Sequence, residues 1–159
     1  MKNIIFLDID GVLNHELFFK SWNQEGEQLD VTRIALLNQL CIDANCDIVI
    51  SSTWRMSGLD DCIAKLKEYG ATFNIIGATP ILRFEGIVRG CEIALWLEKN
   101  ITDAKYGCKY YDFYKYVILD DDSDMLLNQQ SHFFHVDAYA GLTPNICYKI
   151  NRFLTHKTF

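Results

Sequence analysis

No apolar run in the 159-residue chain approaches the ~20 residues that cross a bilayer. The first one, Ile4-Ile5-Phe6-Leu7, stops at Asp8 and is too brief for a secretory leader. A soluble, cytoplasmic protein with no membrane association is the expectation. Basic charge is also scarce, with 15 Lys and Arg against 21 Asp and Glu and a formal net charge of −6. Bulk electrostatics therefore give no drive toward sequence-independent nucleic-acid binding, and such contact would need a local basic groove. The six cysteines (Cys41, Cys46, Cys62, Cys91, Cys108 and Cys147) show no CxxC spacing and no His-rich companion, so neither a zinc site nor a disulfide scaffold is indicated. They read as reduced and mostly buried. GxxxxGK is absent, and no Cys is followed six positions later by Arg, so a P-loop and a cysteine phosphatase are both excluded. EF-hand loops fail on spacing: a start at Asp8 places Leu13 where Gly is required and Phe19 where Glu is required, and a start at Asp120 places Met125 and Ser131 there.

What the chain does contain is a 50% hydrophobic composition, enough for one domain over residues 1–159 with a sizeable core. Periodicity predicts a strand over residues 3–8, an irregular stretch to Asp30, and a helix capped by Asp30 with Val31, Ile34, Leu37, Leu40 and Cys41 on one stripe. A strand Asp47–Ile50 runs into Ser51-Ser52-Thr53-Trp54-Arg55. A helix Leu59–Tyr69 ends at Gly70, and a strand follows over Thr72–Gly77. After a loop, a helix spans Gly90–Asn100. A strand Tyr116–Leu119 ends in Asp120-Asp121-Asp122, the last strand covers Phe133–Asp137, and Thr143-Pro144 opens a terminal helix. Strands that alternate with helices, each strand an unbroken apolar run, predict an α/β fold with a central parallel sheet and helices on both faces. Ligands in such sheets bind at the carboxyl ends of the strands.

Unusual polar groups stand at three of those ends. Asp8 and Asp10 follow the first strand, Ser51 to Arg55 the second, and Asp120 to Asp124 the fourth. Buried carboxylates need a cation, a nest of donors or a shifted pKa. A Mg²⁺ ion held by Asp8 and Asp121, with the main-chain carbonyl of Asp10 as a third ligand, meets that need and leaves positions open for phosphate. Asp120 with Asp124 is the alternative to Asp121. Asp8 then suits attack on phosphorus to give an aspartyl-phosphate, and Asp10 suits the role of acid and base. Ser51, or the adjacent Ser52, supplies a hydroxyl to the phosphoryl oxygens, and Arg89 or Arg55 supplies the cation. Trp54 and Trp96 read as packing residues, with Trp54 also placed to stack on a substrate ring. His132 and His135 read as structural or surface histidines. The stretch Tyr106–Tyr116 holds Tyr106, Tyr110, Tyr111, Tyr114 and Tyr116 among Lys105, Lys109 and Lys115. It reads either as an aromatic platform for nucleic acid or as a connection whose rings cover the sheet edge.

The segments DIDGVLN, SSTWR, RGCEIALWL and ILDDDSDM, with the closing HVDAYAGLT, together resemble the haloacid-dehalogenase-like (HAD) domains of Swiss-Army-knife RNA repair proteins over nearly the whole chain. The resemblance implies a three-layer Rossmannoid sandwich and phosphatase chemistry with Mg²⁺. It makes Asp8 the nucleophile, Asp10 the acid/base, Ser51 the phosphate-binding hydroxyl, Arg89 the motif-three cation, and Asp120 and Asp121 the metal-site acids. Short connections after the first strand and before Arg89 predict little or no cap. Residues 15–29 would serve as a short flap, with Phe18, Phe19 and Trp22 toward the substrate. The expected function is a Mg²⁺-dependent phosphohydrolase for phosphorylated nucleic-acid ends or nucleotides, working beside a partner repair protein. The alternative is a non-catalytic phosphate-binding or partner-docking domain.

Overall fold

The computed structural model describes residues 3–21, 26–82, 86–100, 102–103, 108–109 and 115–156. Its strands are β1 (Asn3–Leu7), β2 (Cys46–Ile50), β3 (Ile75–Ala78), β4 (Thr102–Asp103), β5 (Cys108–Lys109), β6 (Tyr116–Asp120) and β7 (Phe133–His135). Its helices are α1 (Glu16–Lys20), α2 (Val31–Asp43), α3 (Leu59–Glu68), α4 (Arg89–Asn100) and α5 (Pro144–Thr155). Five strands form a wholly parallel sheet in the order β3-β2-β1-β6-β7, while β4 and β5 make a separate antiparallel pair.

The unbroken apolar runs have a simple cause, because both faces of the sheet are covered. Ile5 and Leu7 of β1, Ile48 and Ile50 of β2, and Val117 and Leu119 of β6 pack with Leu37 of α2, Leu66 of α3 and Ile150 of α5. The alternate residues Ile4, Phe6, Val49, Tyr116 and Ile118 meet Ile93, Trp96 and Leu97 of α4 on the other face. Phe6 takes Trp96 edge-on at 5.4 Å and Tyr116 at 5.9 Å between ring centroids. This is the α/β three-layer arrangement that the sequence pattern predicts.

Caps fix where the helices begin. The Asp30 carboxylate accepts from Thr32 N at 2.8 Å at the start of α2, and the Thr143 hydroxyl accepts from Ile146 N at 3.3 Å ahead of Pro144. Burial pushes the Cys46 thiol up to about 12 and those of Cys62 and Cys147 to about 11, which keeps all three protonated at neutral pH.

Several details differ from the sequence-based expectation. A five-residue helix, α1, lies in the stretch read as irregular, begun by His15 Nδ1 accepting from Phe18 N at 3.2 Å. The third strand starts at Ile75 rather than Thr72, and β7 ends at His135 rather than Asp137. Phe18, placed toward the substrate in the flap reading, is buried, whereas Phe19 is exposed. Trp22 lies outside the described residues, as do Lys105, Tyr106, Tyr110, Tyr111 and Tyr114. Tyr116 is a core residue stacked on His132 at 4.1 Å, so it cannot serve an exposed platform. Among the described residues no helix is long and apolar enough to cross a membrane.

The chain order places a crevice at one point of the sheet. From β1 the chain moves outward through β2 to β3, then crosses to β6 on the other flank of β1. The carboxyl ends of β1 and β6 therefore diverge into connections that leave in opposite directions, the position where open α/β sheets hold ligands.

Candidate active site

Asp8 leaves β1 still within the ladder, its N–H donating to Leu119 O at 2.9 Å. The chain then folds into a tight turn in which Ile9 O accepts from Val12 N and Leu13 N at 3.2 and 2.8 Å. Ile9, Val12 and Leu13 are fully buried, so the apolar residues of DIDGVLN anchor the turn in the core and leave its acids to face the crevice. Gly11 has φ +73, and a Cβ there would run into the Asp121 carboxyl group. Only glycine meets both demands. Gly11→Ala is expected to lower the melting temperature by about 3–6 °C, from the cost of a left-handed alanine and the displaced acid. Thermal melts followed by circular dichroism check this, and an unchanged melt would refute the close approach.

Carboxylate oxygens of Asp8, Asp120 and Asp121 lie within 4.8 Å of one another. Asp8 is 5% exposed and Asp120 is fully buried. Burial is the largest influence on both. It pushes the Asp8 carboxyl up to about 6, with the Asp121 and Asp10 charges adding to the rise and Arg89 and the Ser52 hydroxyl opposing it. Asp120 is pushed up to about 7 by burial and then by the neighbouring Asp8, again against Arg89. Burial raises Asp121 as well.

Arg89, the first residue of α4, reaches into this group. Its Nη1 donates to Asp8 Oδ1 at 2.9 Å and to Ser51 O at 2.5 Å, and its Nε lies 3.3 Å from Asp120 Oδ2. A cation at a helix start opposes the helix dipole unless anions surround it, and here they do. Asp124 serves the same helix end, accepting from Arg89 N at 2.9 Å, and it is not among the three clustered acids.

The two hydroxyls after β2 have different surroundings. The Ser52 hydroxyl accepts from Trp54 N at 3.4 Å and holds the Asp8 carboxyl down, whereas Ser51 Oγ is buried with no hydrogen-bond partner among the described residues. Arg55 departs from its expected role. Its five N–H groups go to Thr79 O at 3.0 Å, Ser51 O and Ser52 O at 2.5 Å, Pro80 O at 3.2 Å and Glu92 Oε2 at 2.5 Å. A guanidinium has five donors, so none is left for a phosphate. Arg55 clamps the ends of β2 and β3 to α4.

Asp10 stands apart from the acid cluster. Its Oδ1 accepts from Asn14 Nδ2 at 2.8 Å, and the Trp54 indole N–H lies 3.1 and 3.0 Å from its two oxygens. Asn14 in turn accepts from Gly11 N at 2.9 Å through Oδ1. Sequence reasoning gave Asn14 no role and Trp54 no bond to Asp10. An Asx residue closing a turn four positions after an acid is the only local signal for the first, and the second depends on tertiary placement alone. His135 Nε2 contacts Asp121 O at 2.8 Å and the half-buried His132 stacks on Tyr116, both structural uses as read from the sequence.

Three clustered carboxylates present hard oxygen donors, and Asp120 Oδ2 is buried with no hydrogen bond among the described residues, so the donor set fits a small divalent cation such as Mg²⁺. No curated protein and no solved structure matches the chain. A family match extends across β1 to the start of α5, taking in every residue of the site described above. The chain belongs to the family of HAD domains in Swiss Army Knife RNA repair proteins, which it matches over residues 4–146.

Proposed function

We propose that the chain is a Mg²⁺-dependent phosphohydrolase that works through an aspartyl-phosphate on Asp8, with phosphorylated nucleic-acid ends or nucleotides as substrates and a repair protein as its partner. The observation that carries this reading is the division of acids: Asp8, Asp120 and Asp121 share one volume with Arg89, while Asp10 is held separately by Asn14 and Trp54. A phosphate-binding domain needs the first group and has no use for the second.

Asp8, Asp120 and Asp121 would hold the ion, which supplies positive charge against the phosphoryl oxygens and offsets their repulsion of an anionic nucleophile. A carboxyl near 6 is mostly ionised at neutral pH, so Asp8 is available to attack. Arg89 fixes its orientation. As the new Asp8 O–P bond forms and the ester P–O bond breaks, the departing alkoxide takes the proton from Asp10. Water then attacks the same phosphorus, gives its proton to Asp10, and the Asp8 O–P bond breaks to release phosphate. Ser51, whose hydroxyl has no partner among the described residues, is the proposed donor to a phosphoryl oxygen, and Arg55 is a positioning residue behind it.

The direct test is release of phosphate from an aryl phosphate with Mg²⁺. Hydrolysis that stops on adding EDTA and returns with excess Mg²⁺ is the expected result. Silence across several phosphate esters would hand the site to the binding-domain alternative.

A further inference from the structure

Asp10 stands between two cavities. The smaller, about 260 Å³, also has Glu16, Phe19, Ala138 and Asp121 in its walls. Asp121 belongs to the acid cluster, so this cavity opens beside the acids that would hold the ion, the side toward which the phosphoryl group faces on the phosphohydrolase reading. The larger, about 480 Å³, is walled by Gln28, Trp54, Ser57, Asp61 and Lys65, and Asp10 is the only reacting group it shares. An acid that protonates a departing oxygen must touch that oxygen, so the alcohol attached to it has to extend from Asp10 away from the phosphoryl side.

From this arrangement, and resting on the phosphohydrolase reading, we infer that the larger cleft receives the leaving group and that the Trp54 ring selects a neutral, planar one, the base of a nucleoside. Trp54 is held at both ends: its N–H is fixed by the Asp10 carboxylate, and its ring packs on the core beneath the sheet. A ring so immobilised offers a stacking surface with little left to order on binding. The charges in the cleft argue against a second anionic group. Lys65 Nζ is engaged by Glu68 at 3.0 Å and sits 5.3 Å over the Tyr69 ring, while Asp61 and Asp10 present carboxylates. Ser57 and Gln28 offer the neutral hydrogen-bonding groups that a base or sugar uses.

Adenosine 5′-monophosphate and ribose 5-phosphate leave through the same primary alkoxide and differ only in the base. The expected kcat/KM ratio between them is about tenfold in the wild type, the size of one base stacked on an aromatic ring. Trp54→Phe keeps the ring and loses the N–H, so it should slow both esters and preserve the ratio. Trp54→Ala should bring the ratio to about one. Binding of adenosine, measured by calorimetry on the wild type and on Trp54→Ala, gives a readout that needs no turnover. Hydrolysis with a wild-type ratio near one, or a ratio that survives Trp54→Ala, overturns the cleft assignment and leaves the phosphohydrolase intact. Silence toward every ester, with adenosine still bound only when Trp54 is present, overturns the phosphohydrolase and leaves the cleft.

Discussion

Asp8→Asn is expected to abolish hydrolysis, by about 10⁴-fold or more, and at the same time to raise the melting temperature of the metal-free protein at pH 8. The two effects share one cause. A carboxyl raised from its ordinary 3.8 to about 6 makes the folded chain roughly 3 kcal/mol less stable, once ionised, than an unshifted group would. The sign follows from proton binding. Between pH 4 and 6 the folded chain holds a proton on Asp8 that the unfolded chain has released, so stability falls as pH rises through that window. The amide that replaces the carboxyl cannot ionise and escapes the loss. The advantage of the variant should be about 5–10 °C at pH 8 in EDTA and should vanish near pH 4. Added Mg²⁺ stabilises the wild type and narrows the gap. If the variant melts below the wild type at pH 8 in EDTA, then Asp8 is a net stabilising partner of Arg89 and the burial penalty on its charge does not govern its contribution.

Arg89→Met is expected to do the reverse at high pH. Among the described residues Arg89 is the cation in contact with the clustered acids, through Asp8 Oδ1 and Asp120 Oδ2. Removing one side of a buried ion pair strands the other, at a cost of about 3–5 kcal/mol. That corresponds to a fall of roughly 6–20 °C in melting temperature at pH 8. Asp120 is pushed up to about 7 even with Arg89 present, so acidification toward pH 5 protonates the stranded acids and should restore most of the loss. Melts between pH 5 and pH 8 in EDTA test this. A deficit that stays constant across the range would mean that Arg89 matters through packing alone.

The parts of the molecule legible in the sequence are those where one physical demand dominates. β1, β2 and β6 are buried on both faces and could only be apolar runs, and their polar terminations are visible as Asp8, Ser51 and Asp120. The acid cluster was legible for the same reason, since nothing in the core tolerates three adjacent carboxylates without a purpose. Arg55 was not. An arginine after a strand looks the same whether it faces a phosphate or the carbonyls of Ser51, Ser52, Thr79 and Pro80, and the last two of those carbonyls lie 24 and 25 residues further along the chain. Which of the two hydroxyls after β2 caps the following turn and which does not depends on one residue's placement past the strand's end, and strand ends are the least determined feature of a sequence. α1 and the shift of β3 to Ile75 reflect short elements whose form depends on neighbours more than on their own periodicity.

The clamp made by Arg55 carries a further meaning for variation in this chain. One side chain ties two strand termini to Glu92 on the helix that delivers Arg89, and Glu92 also accepts from Leu82 N at 2.8 Å. The floor of the crevice is thus a single rigid piece. A change at position 55 or 92 alone would loosen the seat of Asp8 from below while leaving the clustered acids and Arg89 in the sequence.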